Sequence, residues 1–65
     1  MNHPDDLLLI GEVAERLRLS KQSLRVLRHR GRGPKCFIVA GRLRYFRGDV
    51  EKWIREQQER DASAA

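Results

Sequence analysis

Residues 20–33 read SKQSLRVLRHRGRG: six basic side chains with His29 included, and no acid. Leu24 and Leu27 recur at the spacing that puts two side chains on one face of a helix. Ser20 is a favoured N-cap, because its hydroxyl can accept from an otherwise unpaired N–H of the first turn, and Gly31 is a favoured stop. The stretch predicts a helix over about residues 21–30 with an apolar back and a cationic front.

Upstream, Ile10, Val13, Ala14 and Leu17 follow i, i+3, i+4, i+7, which predicts a first helix over 10–17 with Glu12, Glu15 and Arg16 facing water. Only residues 18–20 separate the two helices. So short a connection forces them to meet at a steep angle, as in a helix-turn-helix. Ala14 is the small residue where the helices cross, and Val13, Leu17, Leu19, Leu24 and Leu27 are expected to lock the angle. Lys21, Gln22, Ser23, Arg25 and Arg28 are left to project from the second helix, as an element entering a DNA major groove about 12 Å wide requires.

Downstream, the Gly-Arg-Gly-Pro stretch at 31–34 cannot continue a helix. Phe37 and Val39 then alternate with Cys36 and Ile38, and Leu43 and Tyr45 with Arg42 and Arg44, which predicts a hairpin with Gly41 at its tip. Val50, Trp53, Ile54 and Gln57 share one side of a third helix, whose start carries Asp49 and Glu51. The ends, 1–6 and 60–65, read as loose. The expectation is one domain over 1–65, ordered over about 7–59, of mainly helical α+β class. It has two N-terminal helices, a two-stranded β-hairpin wing and a C-terminal helix, and its length allows one modest core.

The net charge of the 65 residues is +5, distributed unevenly. Residues 1–20 carry two arginines against four acids, residues 21–47 carry nine Lys or Arg and no acid, and residues 48–65 carry three bases against five acids. A central +9 block between two −2 ends points to a polyanionic partner, nucleic acid first, since clustered cations gain from releasing counterions held by phosphates. A solvated basic face is the plain alternative.

Other classes lose support. The longest apolar run, residues 7–10, is far below the ~20 residues of a membrane span, and no basic segment precedes it, so a cytoplasmic protein without membrane contact is expected. Cys36 is the sole cysteine and reads as an ordinary strand residue. His3 and His29 are not spaced as metal ligands, and the glycine loop lacks the Gly-Lys-Ser/Thr ending of a phosphate-binding loop. No cofactor, metal, small-molecule ligand or catalysis is expected.

Within the basic block, roles separate by chemistry. Gln22 and Arg25 suit base reading, because Gln pairs bidentately with adenine and Arg with guanine; Lys21, Ser23 and Arg28 suit phosphates. His29 reads as a helix-end residue favoured by the dipole. Arg42 and Arg44 share a strand face near the hairpin tip, where they can reach a neighbouring minor groove or its phosphates while Leu43 and Tyr45 anchor the ribbon. The alternative for these two arginines is protection of an exposed strand edge.

In this order and spacing, IGEVAERLRLSKQSLR, GRGP, GRLRY and DVEKWI, spread over about residues 8–54, resemble the small winged helix-turn-helix proteins of the excisionase type. That family is related to the DNA-binding head of MerR-type regulators and to AlpA-like phage regulators. The resemblance implies residues 21–28 as recognition helix and Arg42 and Arg44 as wing contacts. It further implies an excisionase, or recombination directionality factor, of a phage or integrated element: copies bind adjacent sites on double-stranded DNA cooperatively, bend it and help a cognate integrase. Without apolar repeats after Ile54, the coiled-coil dimerisation and effector sensing of larger MerR-type regulators are not expected. Two other functions compete: a small transcription regulator using the same surface, and a basic adapter for an acidic protein or RNA.

The chain departs from the family in several places. Arg18 stands where a turn glycine is usual, at a cost of roughly 1–2 kcal/mol if left-handed. Leu9 stands where the first helix usually has a capping Ser or Thr, Leu27 where an aromatic residue is frequent, and Ile38 where a basic one is. Ile38 is expected on the outer face of the wing, as a possible protein contact.

Overall fold

The computed structural model describes residues 3–64, with side chains to residue 62. In chain order it has β1 (Leu7–Leu9), α1 (Ile10–Leu17), α2 (Lys21–His29), β2 (Phe37–Val39), β3 (Arg42–Phe46) and α3 (Arg47–Ala64). The class is mainly helical α+β, a winged helix-turn-helix arrangement with a small antiparallel sheet in the order β1-β3-β2.

The predicted periodicities fold as read. Val13 and Ala14 of α1, Leu24 of α2, Tyr45 of β3 and Val50 of α3 bury the apolar stripes together with Leu8, and Ile10, Leu17, Leu27, Cys36, Leu43 and Ile54 pack around them. Both helix ends of the turn follow capping chemistry. Leu9 offers no oxygen, but its own N–H donates to the Glu12 carboxylate at 2.9 Å, so half of a capping box forms. At the other end Arg18 is left-handed, with φ 56° and ψ 40°. The Leu19 N–H reaches the Ala14 carbonyl at 2.9 Å and the Arg18 N–H reaches Glu15 at 3.2 Å, the pair of bonds of a Schellman motif. Helix α2 then starts on Ser20, whose Oγ accepts from the Ser23 N–H at 3.0 Å. It ends on left-handed Gly31 (φ 67°), with Arg32 N–H donating to Leu27 O at 2.9 Å.

Three readings are corrected. The wing is not a lone hairpin: β1 adds a third strand, pairing Leu7 with Phe46, Leu8 with Tyr45 and Leu9 with Arg44. Leu19 does not join the lock. It sits in the turn, off both helical stripes, and is 38 % exposed. Ile38 is exposed, at 55 %, but it lies opposite Leu43 and so on the face of the sheet that carries Tyr45 toward the core. The outer face of the sheet instead carries Leu7, Leu9, Phe37, Val39 and Phe46 around Arg42 and Arg44. The Phe37 and Phe46 rings pack there with centroids 5.0 Å apart.

Of the end segments 1–6 and 60–65, residues 1, 2 and 65 lie outside the described residues, and residues 3–6 are tied to the start of α3. Residues 3–6 form a turn in which Pro4 O and Asp6 O accept from the Gly48 and Arg47 N–H groups, both at 2.9 Å, supplying partners that the first turn of α3 lacks. A Cβ on Gly48 would come within 3.1 Å of the Pro4 Cβ, so a side chain there would press the N-terminal turn outward by a few tenths of an ångström. Helix α3 runs to Ala64, beyond its apolar stripe. Its position is fixed by Arg16, whose Nη2 bridges both Glu51 carboxylate oxygens at 2.8 and 2.9 Å, and by Trp53, whose indole N–H donates to Arg32 O at 2.9 Å.

Candidate nucleic-acid interface

Because Leu24 is 1 % exposed and Leu27 is half-buried, α2 is held by one side and its remaining faces are free. Lys21, Arg25 and Arg28 recur at i, i+4, i+7 and form one row along it. This row lies toward the sheet: Lys21 and Arg25 line a groove of about 630 Å³ together with Arg42 and Arg44 of β3 and Leu9, Gly11, Glu12 and Glu15. The Lys21 stem lies over α1, so that a Cβ on Gly11 would meet its Cε at 3.2 Å. Arg25 and Arg28 both act electrostatically on the phenol of Tyr45, which places the row beside β3.

The wing brings the other two cations. Its tip is a two-residue turn in which Ala40 (φ 50°) and Gly41 (φ 77°) are both left-handed, as a type I′ hairpin requires, and it sets Val39 opposite Arg42. Arg42 is exposed; Arg44 is half-buried, and its Nη1 donates to the Leu43 carbonyl at 2.9 Å. Beneath them Tyr45 is 1 % exposed. Burial raises its pKa above the ordinary 10.0, and the neighbouring Cys36 adds to the rise, while Arg28 and Arg25 oppose it.

Ion pairing divides the molecule into two sides. Among the described residues, the arginines in salt bridges are Arg16, with Glu51, and Arg47, with Asp6 at 3.3 Å, both on the side of α1 and α3 away from the wing groove. Lys21, Arg25, Arg28, Arg42 and Arg44 have no acidic partner within salt-bridge distance among the described residues. Their charge is therefore available to an outside polyanion.

The structure groups the predicted residues unevenly. Lys21, Arg25, Arg42 and Arg44 come together in one groove, with Arg28 continuing the row on α2. Gln22 faces away from the wing into a shallow recess of about 390 Å³ that it shares with Arg25, Val26, His29 and Arg30. Ser23 is exposed, yet its Oγ accepts from Ser20 Oγ at 2.9 Å as part of the cap. Ile38 lies in neither concavity. Val26 and His29 share that recess with Gln22, the three repeating the same i, i+4, i+7 spacing one position along from the basic row.

No curated protein and no solved structure gives a significant match to this chain. A family model described as a helix-turn-helix domain matches residues 7–58, from β1 well into α3. The match spans the crossed helices, the wing and the unpaired basic groove, and the family includes small DNA-binding domains of excisionase and AlpA-like type, typically without enzymatic activity. The chain belongs to the helix-turn-helix domain family, membership that implies DNA binding.

Proposed function

We propose that the protein is an excisionase: copies bind adjacent sites on attachment-site DNA, bend it and promote excision by a cognate integrase. The observation that carries the DNA-binding part is the convergence of Lys21, Arg25, Arg42 and Arg44, without acidic salt-bridge partners among the described residues, on one groove between α2 and the wing. Helix α2 enters a major groove, Gln22 and Arg25 reading base edges, while Lys21 and Arg28, with Ser23 at the capped helix start, meet phosphates. Arg42 and Arg44 reach the adjacent minor groove or its backbone. No metal or cofactor has a role in this reading.

The excisionase role rests on the sequence resemblance and on size. A module that contacts about 5–7 phosphates binds weakly, with log K falling by about 5–6 per log unit of salt, so occupancy depends on neighbours. The end of the outer sheet face away from the wing tip, where Leu7 pairs with Phe46 and the two are 49 % and 37 % exposed, would offer such neighbours an apolar contact. Ile38, 55 % exposed on the other face of the sheet, stays a proposed protein contact beside it. The transcription-regulator reading uses the same groove and is separated by the test.

The test is reconstituted excision on an attachment-site substrate with its integrase, alongside circular-permutation bend mapping. An excisionase raises the yield of excised product and bends the site. A protein that shifts promoter output with no change in excision is the regulator, and equal affinity for any polyanion without a duplex footprint is the adapter.

A further inference from the structure

Helix α2 displays an exposed valine on the ridge that points away from the body of the protein. Val26 is 37 % exposed, while the core contacts of α2 are made by Leu24 and Leu27. Helix propensity does not explain it, since a β-branched residue forms helix less readily than Ala, Leu, Lys or Arg. Its neighbours in the outer recess, Gln22, Arg25, His29 and Arg30, are all polar. Resting on the DNA-binding reading above, we propose that Val26 is a specificity residue that contacts the 5-methyl group of a thymine.

The chemistry is selective. Every major-groove feature of a base pair is a donor or an acceptor except the thymine methyl, and valine offers neither donor nor acceptor. Gln22 lies one helical turn away, at i−4, so the two side chains are about 5–6 Å apart, within reach of the same or neighbouring base pairs. Gln22 pairs with adenine N6 and N7 and Val26 packs on a thymine methyl; together they read an A·T step. The rotamer of a helical valine is nearly fixed, so the contact orders little on binding.

The experiment uses the full chain and a duplex site selected from random sequence by the wild-type protein. Each thymine of that site is replaced in turn by deoxyuridine, which removes only the methyl group. Wild type is expected to lose about fourfold in affinity at one or two positions, the effect of one buried methyl. Val26→Ala, which favours the helix, should bind thymine and deoxyuridine equally there. Gln22→Ala should keep the methyl effect and lose the adenine preference. The proposal is overturned if wild type ignores every methyl, or if Val26→Ala keeps the full thymine preference. Selection that yields no preferred duplex at all would overturn the underlying DNA-binding reading as well, and so is distinct from a selected site indifferent to methyls.

Discussion

Arg18 is the residue at which the turn and stability conflict. With φ 56° it occupies the position that glycine fills without strain, and its Cβ meets the following carbonyl. Arg18→Gly should therefore stabilise the fold by about 1 kcal/mol, a rise in melting temperature of about 4–8 °C for a domain of this size. Thermal unfolding checks it. Tyr45 gives a second prediction. Its native pKa is raised by burial, so the native state holds the phenol proton more tightly than the unfolded chain does. Its contribution is fully present below pH 10.0 and is lost as pH rises past the native value; urea unfolding of wild type against Tyr45→Phe should show that loss only in wild type. Among the cations, Arg25→Ala should weaken binding to a preferred site by about 1–3 kcal/mol, while Arg42→Ala should weaken all sequences more evenly, as competition titrations would show.

The two helices of the turn show why element chemistry decides this fold. Ser20 caps α2 and also engages Ser23, so Ser20→Ala should cost about 1 kcal/mol, read as a lower urea midpoint. The helices and the hairpin were legible because their apolar residues repeat at 3.6 or 2.0 and have Ser20, Gly31 and Gly41 as punctuation. Strand β1 was not. Leu7, Leu8 and Leu9 are all apolar, and only the partner strand reveals that Leu8 alone is buried. The same lack of contrast hid which face of β2 looks outward: Phe37, Ile38 and Val39 are all apolar, and the register with β3 places Ile38 toward the core. Ala40 shows what hairpin geometry costs. Both tip residues are left-handed, so Ala40→Gly should stabilise the hairpin by about 1 kcal/mol in the same unfolding assay.

For the molecule as a whole, the division of paired and unpaired charge matters more than the total of +5. Arg16 and Arg47 join α3 and the N-terminal turn to the rest, and among the described residues the cations of the groove on the other side form no salt bridge. The cationic part of the site was legible as an acid-free run, but the outward Gln22 and Val26 ridge required the packing of α2 to be known. Self-association belongs at this scale. Leu7→Glu on the outer sheet face should leave affinity for a single site within about twofold and reduce cooperativity between adjacent sites, since a charge in an apolar contact is costly to bury. Band-shift titrations on one-site and two-site duplexes separate these effects. The most direct measurement is a hydroxyl-radical footprint of wild type and Arg42→Ala on a selected duplex. A continuous surface from α2 to the wing predicts protection flanking one major groove and across the next minor groove, with only the minor-groove part lost in Arg42→Ala. An unchanged footprint in that variant, or no protected window in wild type, would contradict it.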